Sequence, residues 1–264
     1  MLVFAGITPH PPILIPNVGK DNIKQIAATV NAMNQLEKDL YAAEPDVIMV
    51  ISPHAELNPD AFLLNLSADY IVNFEEFGDL ETKLTFKDSP KLCMDIQERV
   101  EDNANIKMYL TSQEKLDHGT GVALYYLTKH LKNISIVPLS ISMLPLDKHV
   151  IFGQELKKEI AISEKRIAFI ASGDLSHRLK KGAPAGFAPE GEKFDKELIE
   201  KIKAKDLAGI LKMDNKFVDK AGECGLRSVV TLMGLLEEVN YQPEVLSYEG
   251  PFGVGYLVAN MKIK

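Results

Sequence analysis

The first fifty residues alternate between short apolar runs and one long amphipathic segment, and this pattern constrains the fold more than any other feature. Residues 2–7 form an apolar run that is typical of a buried strand. Residues 21–43 space apolar side chains by three and four, which predicts a helix with Asp21 as its N-cap. Residues 47–51 form a second apolar run. The order predicts a β-α-β unit with parallel strands and a right-handed crossover.

The rest of the chain continues this mixture of elements. Further strands are predicted over residues 62–66, 70–73, 83–86, 134–140, 166–171, 245–248 and 253–261. Further helices are predicted over residues 89–100, 121–131, 147–160 (with Asp147 as its cap), 191–204 and 225–239. Residues 178–191 are rich in Lys, Gly and Pro, which predicts a loop that could serve as a lid. No repeat or linker composition interrupts the sequence, so we expect one α/β domain over residues 1–264.

Composition excludes several classes of function. The formal net charge of −7 argues against general binding to nucleic acid, which needs basic surface. The two cysteines do not make a disulfide framework, and they suit a reducing cytoplasm. No apolar run approaches the roughly 18 residues of a membrane span, and the N-terminus does not read as a signal peptide.

Three histidines stand directly after predicted strands. His10 follows the first strand, His54 the second, and His177 the strand at residues 166–171. Ligands of open parallel sheets bind outside the carboxyl ends of the strands, so these three side chains can converge although they lie far apart in sequence. Prolines beside His10 and His54 stiffen the backbone there, which favours a preorganised metal site.

A metal site of the non-haem iron type also needs a carboxylate. Glu223, flanked by small residues at the foot of a helix, is the best candidate, although its spacing alone favours an ordinary first-turn glutamate. Cys224 is a competing soft ligand, and Glu249 is a second carboxylate for which a turn role is favoured. His118 stands at a predicted helix start, where its position alone favours a residue that only caps or flanks the helix terminus.

The two remaining histidines lack such a position. His130 lies at a predicted helix end, where a cation complements the helix dipole. His149 lies in the first turn of the helix predicted after residue 147. Both are predicted to be structural surface residues.

Five separated segments resemble a known family. They are Thr-Pro-His10-Pro-Pro-Ile-Leu-Ile-Pro, Ser-Pro-His54, Leu-Asp-His118-Gly-Thr, Ala-Ser-Gly-Asp-Leu-Ser-His177 and Glu223-Cys-Gly-Leu-Arg-Ser. In this order they resemble the class III extradiol ring-cleavage dioxygenases of the LigB-type superfamily. The resemblance is closest to the LigB-like domain of the AmmeMemoRadiSam system protein A group, and Memo-like proteins are related.

The resemblance implies a three-layer αβα fold with a mostly parallel central sheet, of the phosphorylase/hydrolase-like kind. It implies one metal, normally Fe(II), held by His10, His54 and Glu223. It makes His177 the catalytic base and His118 a second active-site histidine that contacts substrate or oxygen. In Memo proteins a cysteine stands where a ligand is expected. Cys224 matches that position, which leaves Zn and Cu as alternative metals.

The function implied is extradiol cleavage of a small aromatic diol by O₂ in the catabolism of aromatic compounds. One alternative is a Memo-like metal-binding accessory protein that acts with a radical-SAM partner and lacks dioxygenase activity. A third candidate is a zinc hydrolase that uses the same ligands. Members of the AmmeMemoRadiSam group also often carry an AMMECR1-like domain, and many relatives pair as homo-oligomers. The sequence predicts neither the substrate nor the oligomeric state.

Overall fold

The computed structural model describes residues 1–103 and 105–264. The strands are β1 Leu2–Thr8, β2 Val47–Ser52, β3 Phe62–Asn65, β4 Asp69–Phe74, β5 Asp79–Lys87, β6 Met108–Thr111, β7 Ser135–Ser140, β8 Ile167–Ser172, β9 Tyr241–Glu249 and β10 Tyr256–Ile263. The helices are α1 Pro16–Gly19, α2 Ala27–Ala42, α3 Pro90–Glu101, α4 His118–Leu127, α5 Leu146–Ile162, α6 Pro189–Lys203, α7 Leu207–Leu211, α8 Asn215–Ala221 and α9 Leu226–Leu235.

One large sheet organises these elements. Its main strand order is β4-β5-β7-β2-β8-β1-β10-β9, and β3 joins β7 to β6. The four central strands β7, β2, β8 and β1 are parallel. The predicted β-α-β unit is present, with β8 inserted between its two strands. The outer pairs β4–β5 and β10–β9 are antiparallel, so the sheet is mixed around its parallel centre.

Helices cover both faces of the sheet. On β2, Met49 and Ile51 join the core beneath α3, α5, α6 and α9, whereas Ile48 and Val50 join the core beneath α2 and α4. Alternating side chains of one strand therefore enter two different cores, which explains why the central strands are apolar except at their ends. This is the expected three-layer αβα architecture. No helix among the described residues is long and apolar enough to cross a membrane.

Several predicted boundaries need correction. Residues 20–26 form a 3-10 helix, and α2 begins only at Ala27, so Asp21 is not its N-cap. The spacing of three between Ile23 and Ile26 suits a 3-10 helix as well as an α-helix. Similarly, Asp147 lies in the first turn of α5 rather than capping it. The short elements β6, α7 and α8 were not predicted, because segments of four to seven residues carry little periodicity.

Candidate metal centre

The carboxyl ends of β1 and β2 and the start of α9 bring three potential ligands together. These are His10, His54 and Cys224, whose possible ligand atoms all lie within 4.8 Å of one another. The ring centroids of the two histidines are 4.7 Å apart and the rings lie edge to face. The predicted convergence of His10 and His54 therefore exists in the fold.

The side chain of His10 is buried and oriented by its neighbours. The Ser172 hydroxyl donates to the Gly119 carbonyl at 2.7 Å, so its oxygen can accept from Nδ1 of His10 at 2.9 Å. This arrangement places the ring proton on Nδ1. The unprotonated Nε2 then points toward the Cys224 Sγ, 3.5 Å away. A second partner that fixes the tautomer is typical of histidines that ligate metals.

His54 and His118 form the outer part of the site. Their ring centroids are 4.3 Å apart, and the His118 ring also packs edge to face on Phe77. The Ser52 hydroxyl accepts from the backbone N–H of His54 at 3.2 Å and donates to the Asp117 carboxylate at 2.6 Å. Asp117 also accepts from the backbone N–H of residue 120, which caps α4 and fixes the position of His118 at the first helical residue.

The electrostatics of the site keep these imidazoles neutral. Burial is the largest cause that lowers the pKa of His10 well below 6.5, and the neighbouring histidines add to it. Desolvation and His118 lower the pKa of His54 to about 4. Desolvation also lowers the pKa of His118. At neutral pH these rings therefore offer lone pairs rather than charge, as a metal requires.

Cys224 is held by the segment that follows β8. Its Sγ accepts from the backbone N–H of Asp174 at 3.3 Å, and its own N–H donates to the Asp174 carbonyl at 3.3 Å. A Cβ on Gly173 would lie 2.2 Å from the Cα of Gly225, so the close approach of the two segments requires glycine there. Burial raises the pKa of the Cys224 thiol, which therefore stays protonated until a cation replaces the proton.

Asp174 is the buried carboxylate of this centre. Its Oδ1 accepts from the backbone N–H of His10 at 2.9 Å, and its Oδ2 lies 4.0 Å from Nε2 of the same residue. Burial raises the pKa of Asp174 to about 7. The sequence predicts no site role for Asp174. Its position after a buried strand, three residues before His177, is the feature that could have marked it as a site residue.

The two glutamates considered as ligands accept hydrogen bonds at helix N-termini. The Glu223 carboxylate accepts from the backbone N–H of Leu226 at 2.6 Å, at the start of α9. It is not a member of the group formed by the two histidines and Cys224. The Glu249 carboxylate accepts from the N–H and hydroxyl of Thr29 at 2.6 and 2.7 Å, in the first turn of α2. Both carboxylates therefore bind backbone N–H groups at helix N-termini, and burial raises the pKa of Glu223 to about 7.

His177 lies on the segment that carries Asp174. Both its backbone N–H and its Nδ1–H donate to the Gly222 carbonyl, at 3.1 and 3.0 Å. With the ring proton on Nδ1, Nε2 is the basic nitrogen. Burial lowers the pKa of His177. Because Gly222 stands two residues before Cys224, these bonds tie the His177 segment to the one that carries Cys224.

A buried network supports this segment. Asp195 of α6 is fully buried and accepts from the backbone N–H of Ser176 at 2.8 Å and from the Tyr248 hydroxyl at 2.6 Å. The Ser176 hydroxyl donates to the Ala221 carbonyl at 2.7 Å. The backbone before His177 is thus fixed on two sides. No sequence signal marked Asp195, because it lies on an ordinary amphipathic helix.

Asp195 should make stability depend on pH. Burial raises its pKa to about 6, so the folded state keeps a proton that the unfolded chain loses near pH 4. Its contribution is complete below pH 4 and is lost as pH rises through 6. We expect the free energy of unfolding of the wild type to fall by about 2 kcal/mol more than that of Asp195→Asn between these values. Urea unfolding of both proteins at pH 4.5, 5.5 and 6.5 measures this, and parallel curves would contradict it.

The remaining histidines differ from each other. His130 is exposed and bonded to Glu37 at 2.8 Å, as predicted for a surface residue. The prediction for His149 was wrong. Its ring is completely buried against Phe62, and its Nε2 accepts from the backbone N–H of Ser142 at 3.3 Å. The first turn of α5 packs against the end of β7 at this point, so this histidine belongs to the core.

Comparison with known families agrees with this geometry. The family described as the catalytic LigB subunit of aromatic ring-opening dioxygenase matches residues 5–259. The chain belongs to the LigB family. The match includes every histidine and cysteine of the centre described above.

This LigB-family chain is also similar to one curated protein in sequence and to one solved structure in fold. It is 36% identical to Protein CA_C1420 of Clostridium acetobutylicum over 265 residues, which is 97% of this chain and 56% of that protein. The chain thus spans little more than half the length of this curated relative. The crystal structure of the uncharacterized protein JW3007 from Escherichia coli K12 superposes with a TM-score of 0.70, covering 98% of this chain and 99% of that one. With 18% identity, this likeness concerns the fold.

The donor set of this LigB-family chain fits one transition-metal ion. Two neutral imidazoles and one thiol converge, with a second partner on His10. The third donor is the Cys224 thiol, whereas a two-histidine, one-carboxylate Fe(II) site would use the Glu223 carboxylate there. A thiolate beside imidazoles suits Zn²⁺ or copper ions well.

Metal uptake should therefore depend on pH through Cys224. Its thiol must lose one proton on binding, whereas His10 and His54 are already neutral near pH 7. We expect the affinity for Zn²⁺ to rise about tenfold per pH unit between pH 6.5 and 8.5. Competition with a chromophoric chelator measures it.

Two variants of neighbouring residues assign the slope. Cys224→Ser should bind weakly and show little dependence on pH. Glu223→Gln should keep both the affinity and the slope. Loss of the affinity in the glutamine variant instead would make the carboxylate the third ligand.

Proposed function

We propose that this chain is a metal-dependent oxidoreductase that opens the ring of a small aromatic diol with O₂, outside the two hydroxyls. The observation that carries the proposal is the meeting of His10, His54 and Cys224, with His177 bonded through Nδ1 to Gly222, two residues before Cys224. Membership of the LigB family supports it. Both atoms of O₂ enter the ring-opened product in this reaction, so the balance needs no external reductant.

Metal binding and proton transfer would belong to different residues of the chain. His10 Nε2, His54 and the Cys224 thiolate would hold the metal, with Fe(II) as the ion for ring cleavage and Zn or Cu as alternatives. When bound, that metal would supply Lewis acidity toward the diol and redox chemistry toward O₂. His177 would accept the proton of a substrate hydroxyl at Nε2, because its Nδ1–H is committed to the Gly222 carbonyl.

His118 would act from the outer side of the centre. Its ring stacks near His54 and is fixed by the cap of α4, so it can hydrogen-bond a substrate or oxygen atom in a constant position. Phe77 packs on the same ring and excludes water from one side of it. Such fixed orientation lowers the entropic part of the barrier.

The experiment is a panel of catechols supplied to protein loaded anaerobically with Fe(II), followed by admission of oxygen. We expect a yellow ring-opened product and one O₂ consumed per product formed. His130→Ala, which changes an exposed histidine outside the centre, is the matched control and should retain full activity. Full metal occupancy without any product or oxygen uptake across the panel would refute the proposed reaction.

Cys224 favours a second candidate function. Its thiol, rather than a carboxylate, completes the group of ligands, which suits a Memo-like metal-binding accessory protein without dioxygenase activity. The partners of such a protein would be a radical-SAM enzyme and an AMMECR1-like domain in the cytoplasm, with a homo-oligomer as its assembly. A stable Zn or Cu complex combined with a negative catechol panel would support this candidate.

A further inference from the structure

A cavity of about 320 Å³ adjoins the metal centre on the side of His54 and His118. Its lining is mostly polar but includes the apolar side chains of Leu63, Leu116 and Leu139, here called the leucine wall. This wall could pack an aromatic ring or short methylene chain that extends outward from the centre. The opposite rim carries charged side chains, which therefore decide what the outer end of a ligand can be.

Two of the rim charges neutralise each other. The Lys115 ammonium lies 3.3 Å from the Glu76 carboxylate. The Asp117 carboxylate accepts from Ser52 and from the backbone N–H and hydroxyl of Thr120, so its charge is directed at the N-terminus of α4. The Lys115–Glu76 pair thus presents no net charge toward a ligand, and the charge of Asp117 is shared among three donors.

Glu56 differs from both. Its carboxylate accepts from the Gln113 side-chain amide at 2.7 Å, which fixes its position without neutralising its charge. Gln113 is itself held by Asn65, through two hydrogen bonds of 2.8 Å between the Asn65 amide and the Gln113 backbone. Through Asn65 and Gln113, the end of β3 thus fixes the negative charge of Glu56 at the rim, two residues after His54.

We propose that this cavity selects aromatic diols whose side chain ends in an ammonium group, and that Glu56 is the specificity-determining residue. The diol lies at the metal centre, the methylenes pack along the leucine wall, and the ammonium meets the Glu56 carboxylate. A carboxylate at the same place would meet repulsion from Glu56, because Lys115 is already paired with Glu76. This inference rests on the proposed function, since it takes the metal centre as the place where the diol binds.

The test compares three catechols of similar size that carry different charges on the side chain: 4-(2-aminoethyl)catechol, 4-ethylcatechol and 3,4-dihydroxyphenylacetate. Their dissociation constants are measured by calorimetry on metal-loaded protein without oxygen, at low ionic strength. We expect the amine to bind roughly 10-fold more tightly than the carboxylate, with the neutral compound between them, as exposed ion pairs allow. Raising the salt concentration should reduce the difference.

Three variants assign the preference to one residue. Glu56→Gln removes the charge and keeps the shape, so it should reduce the preference to less than about 3-fold. Glu56→Lys should reverse it. Glu98→Gln makes the same change of net charge on the exposed face of α3, away from this cavity, and should leave the wild-type preference intact.

The outcomes separate the two proposals. Equal binding of the three catechols, or tighter binding of the carboxylate, would overturn the role of Glu56 while ring cleavage could still be measured. A preference that survives in Glu56→Gln would do the same. Failure of all three compounds to bind the loaded protein would overturn both this inference and the proposed function.

Discussion

Replacing His10 by alanine is expected to weaken metal binding by at least about 100-fold, to far below one ion per chain after dialysis. The expectation follows from the position of its Nε2, which is buried, unprotonated and 3.5 Å from the Cys224 Sγ. Changing a partner of a ligand already costs roughly 10- to 100-fold, so loss of the ligand itself should cost more. Elemental analysis of dialysed protein measures the result.

Two control variants are compared with His10→Ala for metal binding. Ser172→Ala removes the acceptor for Nδ1 of His10, together with the hydroxyl's bond to the Gly119 carbonyl, and should weaken binding by about 10- to 100-fold. His130→Ala removes an exposed histidine and should bind one ion like the wild type. If His10→Ala retained a full equivalent of metal, the ion would have to lie elsewhere.

Replacing His177 by glutamine is expected to reduce kcat by roughly 10²- to 10⁴-fold while the metal content stays unchanged. Glutamine can still donate to the Gly222 carbonyl but offers no basic nitrogen in place of Nε2. Burial lowers the pKa of His177 below 6.5, so the wild-type rate should fall only as pH drops below that value. The variant should lack this acidic limb, because the group that becomes protonated has been removed.

Rates measured from pH 5 to 8 on metal-loaded wild type and variant check both points. An unchanged kcat, or an acidic limb of the same pKa in the variant, would remove His177 from the reaction. A loss of metal from the variant would instead mean that this histidine supports the metal ligands.

The central strands could be predicted because their sequence carries a strong physical signal. The side chains of β2 enter a separate core on each face, so it is apolar from Val47 to Ile51, and the site histidines follow the carboxyl ends of β1, β2 and β8. The meeting of His10 and His54 followed from this rule. The mixed sheet was not predictable in the same way, because antiparallel pairing of the outer strands depends on connections that periodicity does not encode.

The choice between Glu223 and Cys224 shows where the sequence stops being informative. The residues are adjacent, and which side chain enters the site depends on the backbone at the start of α9. There Glu223 satisfies the N–H of Leu226, and Cys224 turns toward His10. Asp174, Asp195 and His149 gain their importance only from residues brought close by the fold. Their buried positions could not be derived from local composition.

X-ray absorption at the metal edge of Zn-loaded protein tests the central claim most directly. The arrangement of His10, His54 and Cys224 predicts one sulfur neighbour at about 2.3 Å together with imidazole nitrogens at about 2.0–2.1 Å. The sulfur signal should disappear in Cys224→Ser and remain in Glu223→Gln. A first shell of nitrogen and oxygen alone in the wild-type protein would contradict the account.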